Sequence, residues 1–319
     1  MVEATIIIAA WNAADTVGRS VASARSQDGI CAQTIVVDDA SSDGTLAALD
    51  AHPDLFLERL AENGGPAAAR NRALDCATGN WVAVLDSDDT MAEGRLRRMI
   101  DLGEAEQADV VLGNFRKVTP EGQPVEQAPF LSAVASQDAT RWDLERYLSG
   151  NQVSRRSRSL GYLKPVIRRA FLEENGIRYN RSLRNGEDCH LIFECLLAGA
   201  RVLFDPQADY FYTVRPGSVS HRATPAHIDA LIAADDALVA LHGARLSQAE
   251  RALFRSRRRN LSDMVETERV MHALRDGHVA DGLSALRRQP RLARRVLRQL
   301  TESLRNRLGA RLLPRRVSE

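Results

Sequence analysis

The chain is organised around the stretch Val84-Leu85-Asp86-Ser87-Asp88-Asp89, where a short apolar run that begins at Trp81 ends in three carboxylates. Like charges a few ångströms apart repel each other and raise each other's pKa unless a cation lies among them. Alternate side chains of an extended segment point the same way, so Asp86 and Asp88 can share one ligand. The pattern therefore predicts a site for a hard divalent cation, Mg²⁺ or Mn²⁺, at the end of a buried strand.

Short apolar runs alternate with helical patterns on either side of that stretch. The apolar runs cover residues 4–10, 34–37, 56–60, 81–85 and 110–115, and the helical patterns cover 15–26, 67–77 and 95–102, with a further start near 43. Such alternation predicts the α/β class, with a Rossmann-like, mostly parallel sheet flanked by helices. Ligands of open sheets bind beyond the carboxyl ends of the strands, so the residues that follow these runs are expected to meet at one rim.

The later part of the chain is less regular. Residues 117–160 are punctuated by proline and glycine and predict a loop. Strand-like runs and one helix follow, at 162–167, 202–204 and 210–214 for the strands and 187–197 for the helix. From residue 225 onward the chain reads as helical without clear strands, which predicts a C-terminal α-helical extension.

The C-terminal extension is basic, although the whole chain carries a net charge of only +1. Residues 1–100 hold 8 Arg and 15 acidic residues, whereas residues 245–319 hold 19 Arg and 8 acidic residues. One helical face there carries an apolar stripe formed by Leu292, Val296, Leu300, Leu304 and Leu308. Basic residues around an apolar stripe predict helices that contact an anionic membrane surface. An Arg face packed on the rest of the protein is the alternative, and nucleic-acid binding is not expected because the stripe lacks interleaved aromatic residues.

Composition argues against several other classes of protein. No run approaches the ~18 apolar residues needed to span a bilayer, and the run at 4–10 lacks the basic flank of a signal peptide. The four cysteines show no C-x-x-C spacing, which argues against a disulfide framework or a structural zinc site. The chain is therefore expected in the cytoplasm.

Five segments, taken in order, resemble the inverting family 2 glycosyltransferases with the GT-A fold, and among these the bacterial exopolysaccharide enzymes of the succinoglycan type. The segments are 6–12 (IIIAAWN), 36–45 (VVDDASSDGT), 63–71 (NGGPAAARN), 85–89 (LDSDD) and 187–188 (ED). The resemblance implies a GT-A domain over residues 1–222, with a nucleotide-sugar half at 1–116 and an acceptor-binding half at 117–222. Residues 223–319 then form the helical basic region.

The resemblance assigns the nucleotide-sugar contacts to the rim. Asp39 is expected at the uracil, and the Trp11 indole would stack on this base in place of the family's usual tyrosine. The full set of expected contacts is Ala10, Trp11, Asp39, Arg70, Asp86, Ser87 and Arg215. Two simpler interpretations stay open, a solvated surface charge for Arg70 and an ordinary Pro-Gly turn at Arg215.

The resemblance also assigns the metal and the catalytic base. Asp88 and His221 are expected to hold Mn²⁺ or Mg²⁺ at the diphosphate of the donor. Asp188, beside Glu187, is the expected base, because an acceptor hydroxyl is a poor nucleophile until a carboxylate takes its proton. An acidic pair at a helix start is also favourable against the helix dipole without any catalytic role.

Together these expectations describe metal-dependent, inverting transfer of a hexose, with glucose preferred, from a UDP-sugar to a lipid-linked oligosaccharide in exopolysaccharide biosynthesis. The enzyme would lie at the inner face of the cell membrane. A catalytically inactive GT-A sugar-binding module is an alternative, and it would have lost metal or base carboxylates. A sugar nucleotidyltransferase would need a glycine-rich phosphate loop where this chain has Trp11-Asn12-Ala13-Ala14. No G-x-G-x-x-G follows any strand, which argues against a dinucleotide-binding dehydrogenase.

Overall fold

The computed structural model describes residues 1–52, 55–132, 139–153, 159–215, 224–298 and 301. The strands are β1 Ala4–Ala10, β2 Ala32–Asp38, β3 Phe56–Arg59, β4 Trp81–Val84, β5 Thr90–Met91, β6 Val110–Val118, β7 Thr140–Trp142, β8 Lys164–Arg168 and β9 Val202–Thr213. The helices are α1 Val17–Arg25, α2 Thr45–Leu49, α3 Pro66–Cys76, α4 Arg95–Ala105, α5 Leu144–Gly150, α6 Arg169–Glu174, α7 Glu187–Leu197, α8 Pro225–His242, α9 Gln248–Arg275 and α10 Val279–Arg288.

One sheet runs through the protein in the order β3-β2-β1-β4-β8-β6-β9-β5, with β7 paired to β9. The first four of these strands are parallel, with Ala10 of β1 opposite Asp38 of β2 and Ile7 of β1 opposite Val84 of β4. The carboxyl ends of these strands therefore meet at one rim, which confirms the predicted α/β class with a central sheet flanked by helices.

The second half of the sheet is mixed. Strand β8 lies between β4 and β6 and is antiparallel to both. Strand β9 is parallel to β6 but antiparallel to β5 and β7. Because β8 runs in the opposite direction, its first residue, Lys164, lies at the rim where the parallel strands end. Strand β8 thus places a lysine at the same edge of the sheet as the acidic cluster.

Two sequence expectations are wrong in detail. The predicted loop at 117–160 contains β7 and α5, and the Asp143 side chain caps α5 by accepting a hydrogen bond from the Arg146 amide. The proline and glycine residues near the start of this segment favoured the prediction of a loop. The two elements are stabilised by tertiary contacts, such as the stacking of Trp142 on Phe204, which a local pattern does not show. The two strands predicted at 202–204 and 210–214 form one, β9, with a register irregularity opposite Gly113 and Phe115.

The core lies on both faces of the sheet and extends into the C-terminal helices. Ile6, Ile7 and Ile8 of β1 are fully buried, as expected for a central parallel strand that helices cover on both faces. Leu238 of α8 and Phe254 of α9 belong to this same core cluster. These two helices are therefore packed onto the sheet domain rather than attached only through the chain.

The described part of the C-terminal stripe is buried. Leu292 is 0% exposed and Val296 is 3% exposed, and Val296 packs with Val270 and Met271. The start of the stripe is therefore packed on the rest of the protein, as the alternative to membrane contact predicts. Leu300, Leu304 and Leu308 lie outside the described residues. Among the described helices, none is both long enough and apolar enough to cross a membrane.

Candidate active site

A cleft of about 760 Å³ opens at the rim where β1, β2 and β4 end and β8 begins. Nearly all the residues expected from the sequence line it, namely Ala10, Trp11, Asp39, Arg70, Asp86, Ser87, Asp88, Glu187, Asp188 and Arg215. The exception is His221, which lies outside the described residues. The parallel strands and helix α7 thus bring together groups that are far apart in the chain.

Asp39 is fixed at the end of β2 by backbone donors. Its carboxylate accepts hydrogen bonds from the amides of Gly64, at 2.7 Å, and Gly65, at 2.8 Å. Burial raises the pKa of Asp39, and the two amide hydrogen bonds oppose that rise. Gly65 has a φ of 86°, in the left-handed region that glycine adopts without strain, and Pro66 then begins α3.

Trp11 and Ala40 border this part of the cleft. The Trp11 side chain is 51% exposed, which is high for an aromatic side chain and leaves its ring accessible to a ligand. Ala40 follows Asp39 with a φ of 55°, in the left-handed region that is unfavourable for a residue with a Cβ. This turn is therefore held against its local preference by the surrounding structure.

Arg70 of α3 joins the acidic residues of β4 and α7. Its guanidinium lies 2.7 Å from Asp86 Oδ1, 2.6 Å from Glu187 Oε1 and 3.1 Å from Asp188 Oδ1. The residue is 5% exposed, so the interpretation of Arg70 as a solvated surface charge is wrong. Burial disfavours its charge, but Asp188, Asp86 and Glu187 outweigh that effect and raise the pKa of Arg70.

Lys164 is a member of the cluster that sequence reasoning missed. Its Nζ lies 2.5 Å from Asp86 Oδ2 and 3.4 Å from Asp188 Oδ2, and its side chain is 4% exposed. Burial alone would raise the pKa of Asp86, but Lys164 and Arg70 lower it to about 2. One signal was available, since Lys164 is one of only two lysines among 43 basic residues, the other being Lys117. Its compact ammonium reaches two carboxylates in the interior, a position where the larger planar guanidinium of arginine is not equivalent.

Asp89 has a structural role. Its carboxylate accepts hydrogen bonds from the Tyr210 hydroxyl at 2.8 Å and the Thr213 amide at 2.7 Å. Burial, together with the nearby Asp88 and Asp86 charges, raises the pKa of Asp89 well above its ordinary value. Asp89 therefore connects the end of β4 to β9 through these two hydrogen bonds.

Asp88 is the member of the acidic cluster best placed to meet a ligand. Carboxylate oxygens of Asp86, Asp88 and Asp89 lie within 4.8 Å of one another, as ligands of one ion would. Asp86 is already bound by two buried cations, whereas Asp88 pairs with Arg215, at 2.7 Å, and with no other cation among the described residues. One or two carboxylates beside substrate phosphates are the usual protein contribution to an Mg²⁺ site, so these residues fit such an ion.

Asp188 stands at the start of α7 and lines the cleft. Gly186 begins this helix in the left-handed conformation, with a φ of 82°. The buried Oδ1 atom of Asp188 lies 3.1 Å from the Arg70 guanidinium, and Oδ2 lies 3.4 Å from Lys164 Nζ. Burial raises the pKa of the neighbouring Glu187, and Arg70 opposes that rise. The two cations hold a carboxylate at the cleft, where it can accept a proton from a bound molecule.

This arrangement of sheet, Asp-x-Asp turn and acidic pair opening a helix defines a GT-A type glycosyltransferase. The family model "Glycosyl transferase family 2" matches residues 5–161, and the chain belongs to this family. It is 38% identical over 239 residues to the succinoglycan biosynthesis protein ExoO of Rhizobium meliloti, covering 74% of this chain and 68% of that protein.

Two further similarities are less extensive. Over 113 residues the chain is 35% identical to the Escherichia coli UDP-Glc:alpha-D-GlcNAc-diphosphoundecaprenol beta-1,3-glucosyltransferase WfaP, covering 35% of this chain and 45% of that protein. The crystal structure of Staphylococcus aureus TarS 1–349 in complex with UDP-GlcNAc superimposes with a TM-score of 0.59 at 24% identity, covering 74% of this chain and 66% of that chain. At that identity the TarS structure shows the fold alone.

Proposed function

We propose that the chain transfers a hexose, with glucose preferred, from a UDP-sugar to a lipid-linked oligosaccharide in exopolysaccharide biosynthesis. The observation that carries this proposal is that the Asp188 carboxylate, positioned by ion pairs with Arg70 and Lys164, lines the same cleft as Asp88. The printed names of the relatives support the substrate classes, since ExoO is a succinoglycan biosynthesis protein and the name of WfaP specifies UDP-Glc and a diphosphoundecaprenol acceptor.

The nucleotide is expected along the ends of β1, β2 and β4. Trp11 would stack on the uracil, Asp39 would contact its edge, and Asp86 would lie near the ribose. Ala10 and Ser87 border the same wall, and Arg215 would turn from Asp88 to the diphosphate oxygens. Backbone and ion-pair contacts hold Asp39 and Asp86 in place before the donor binds.

In the transfer step, Asp188 takes the proton of the acceptor hydroxyl while that oxygen forms a bond to the anomeric carbon. The bond from the anomeric carbon to UDP breaks on the opposite face, so the configuration inverts and a β linkage results. Mn²⁺ or Mg²⁺, held by Asp88 and, as the family suggests, His221, would offset the negative charge that grows on the departing UDP. Arg70 and Lys164 fix the position of Asp188 through ion pairs at 3.1 Å and 3.4 Å.

The proposal places the enzyme in the cytoplasm, at the inner face of the cell membrane where a lipid-linked acceptor is accessible. Contact with the lipid surface would come from the basic residues beyond the buried start of the C-terminal stripe. A catalytically inactive module is disfavoured because Asp86, Asp88 and Asp188 are all retained in the cleft.

The decisive experiment measures UDP release by the purified chain from a panel of UDP-sugars, with Mn²⁺, Mg²⁺ or EDTA. Metal-dependent release from one donor, abolished in Asp88→Asn, would support the proposal and identify the sugar. No release, together with no metal-dependent UDP binding, would instead support the inactive module. Binding without release would indicate that the missing component is the acceptor.

A further inference from the structure

Helix α8 contributes an unassigned histidine to the cleft. His227, in the first turn of α8, lines the same cleft as Asp188 and Arg215. Its Nδ1 atom is buried and has no hydrogen-bond partner in the described part of the chain. A buried, unpaired ring nitrogen is costly unless a ligand completes its hydrogen bonding.

Helix α8 packs against the start of the helix that carries the proposed base. Leu231 lies four residues after His227, on the same face of the helix. A Cβ atom at Gly186 would approach Leu231 Cδ2 to 3.0 Å, so this face of α8 is in contact with the start of α7. Glu187 and Asp188 are the next two residues of α7, and Asp188 and His227 line the same cleft.

Helix α9 contributes a buried arginine that binds α8 and the end of α5. Arg257 donates from Nε to Asp235 Oδ2 of α8 at 2.7 Å, and both side chains are less than 5% exposed. Its Nη1 also donates to the carbonyl of Asn151, and its guanidinium lies 5.4 Å from the centre of the Phe193 ring of α7. One guanidinium therefore joins α8, α9, α7 and the end of α5.

Asn151 connects Arg257 to residues that line the cleft. Its Oδ1 accepts hydrogen bonds from Ser159 Oγ at 2.9 Å and from the Gly161 amide at 3.0 Å. Ser159 and Gly161 line the cleft, and a Cβ at Gly161 would lie 2.7 Å from Cys189, directly after the base. The segment Ser159 to Gly161 is therefore fitted tightly against the start of α7.

We propose that the start of α8 borders the acceptor side of the cleft, with His227 binding a hydroxyl group of the acceptor saccharide, and that Arg257 of α9 positions the segment at Ser159 and Gly161. This inference rests on the proposed function. The nucleotide is expected at the ends of β1, β2 and β4, and inversion requires the acceptor to approach from the other side, where Asp188 stands. Helix α8 supplies His227 to the cleft, and α9 supports the segment at Gly161 through Asn151, so the C-terminal region has a part in acceptor binding.

The first test needs no substrate and uses a matched pair of neighbouring arginines. Arg258 pairs with Asp236 on the surface, with side chains 56% and 46% exposed, whereas the adjacent Arg257 pairs with Asp235 in the interior. In the full chain, Arg257→Met should speed amide hydrogen exchange of a peptide spanning Ser159 to Leu163 by at least about tenfold, and Arg258→Met should leave it unchanged.

Because Arg257→Met leaves Asp235 without this partner and can unfold the chain, the double variant Asp235→Leu/Arg257→Met serves as the folded alternative. Unchanged exchange in that variant would overturn the anchoring role.

The second test separates acceptor from donor binding. With UDP-glucose and the nitrophenyl glycoside that the wild-type chain uses best, His227→Ala should raise the acceptor KM about tenfold and leave the donor KM within about twofold. His242→Ala, at the other end of α8 and away from the cleft, should change neither. An unchanged acceptor KM in His227→Ala, or a raised donor KM, would reject the acceptor role. A wild-type chain that neither releases UDP from any UDP-sugar nor binds UDP in a metal-dependent way would reject the proposed function instead, and the exchange experiment would still decide the role of Arg257.

Discussion

Arg70 and Glu187 are 117 residues apart in the sequence, yet the Arg70 Nη1 atom lies 2.6 Å from Glu187 Oε1 in the interior of the protein. The same guanidinium binds Asp86, at the end of β4. It therefore links the half of the sheet expected to bind the nucleotide to the helix that carries the proposed base. The relative position of donor and base therefore depends on this buried cation, together with Lys164, which also joins Asp86 to Asp188.

Substitution of Arg70 should affect stability and transfer together. Arg70→Met would leave the carboxylates of Asp86 and Glu187 buried without this partner, which should lower the free energy of unfolding by about 3–5 kcal/mol. Transfer should fall by at least about 100-fold because Asp188 loses its fixed position. Arg72→Met is the control two residues away, since Arg72 forms an exposed pair with Glu58 and its loss should leave the free energy of unfolding nearly unchanged. Urea denaturation and UDP-release assays of both variants check this prediction.

Lys164 should be replaceable by neither an apolar residue nor arginine. Lys164→Met removes a buried partner of Asp86 and should destabilise the chain by about 3–5 kcal/mol. Lys164→Arg should restore little activity, because a planar guanidinium does not fit a site shaped for a compact ammonium. The remaining lysine provides the control, since Lys117 forms a partly exposed pair with Glu126 and Lys117→Met should keep full activity. Full activity in Lys164→Arg would contradict this assignment.

The Tyr210 hydroxyl should contribute to stability in addition to the buried ring. The hydroxyl donates to Asp89 Oδ2 at 2.8 Å and accepts from the Asp86 amide at 3.1 Å. Tyr210→Phe keeps the ring but leaves two buried polar groups without this partner, which should cost about 1–3 kcal/mol. Equilibrium unfolding measures the effect. A variant as stable as the wild type would show that water replaces the hydroxyl.

The two key aspartates should give separable defects. Asp188→Asn should reduce transfer about 10²–10⁴-fold while UDP binding is kept, because the amide cannot take the acceptor proton. Asp88→Asn should weaken UDP binding in the presence of Mn²⁺ and make the remaining affinity insensitive to EDTA. Calorimetric titration with UDP, beside a transfer assay, distinguishes the two. Near-normal transfer by Asp188→Asn would show that another group is the base.

The buried Arg257–Asp235 pair should make the stability of one variant depend on pH. Burial raises the pKa of Asp235, and Arg257, followed by the nearby His190, opposes this rise. In Arg257→Met the pKa should rise further, so the folded chain binds a proton more tightly than the unfolded chain. Stability of this variant should therefore fall as the pH increases from the ordinary value of 3.8 through the raised value, whereas the wild type should show a smaller fall. Thermal unfolding at several pH values tests the sign.

The sequence by itself determined the class of fold and the place of the site. Apolar runs that end in Ala10, Val37 and Leu85 and alternate with helical patterns predict a parallel sheet whose carboxyl ends share a rim. The acidic residues after those runs were therefore predictable as neighbours. Such local patterns predict the fold class because backbone hydrogen bonding and burial impose the same spacing of apolar residues on every sheet of this kind.

Only the tertiary structure decided how the charges of the site are balanced. The sequence predicted that the carboxylates of the Asp-x-Asp turn need a cation, but two of the cations near Asp86 are Lys164 and Arg70, which reach it from β8 and α3. It likewise could not show that Arg257 of α9 supports the segment at Gly161 through Asn151. These contacts join residues that lie between 10 and 106 positions apart, and no local sequence pattern predicts which distant side chain will fill a buried position. Packing of the whole chain makes that choice, since a buried charge is tolerated only where a partner arrives in the right geometry.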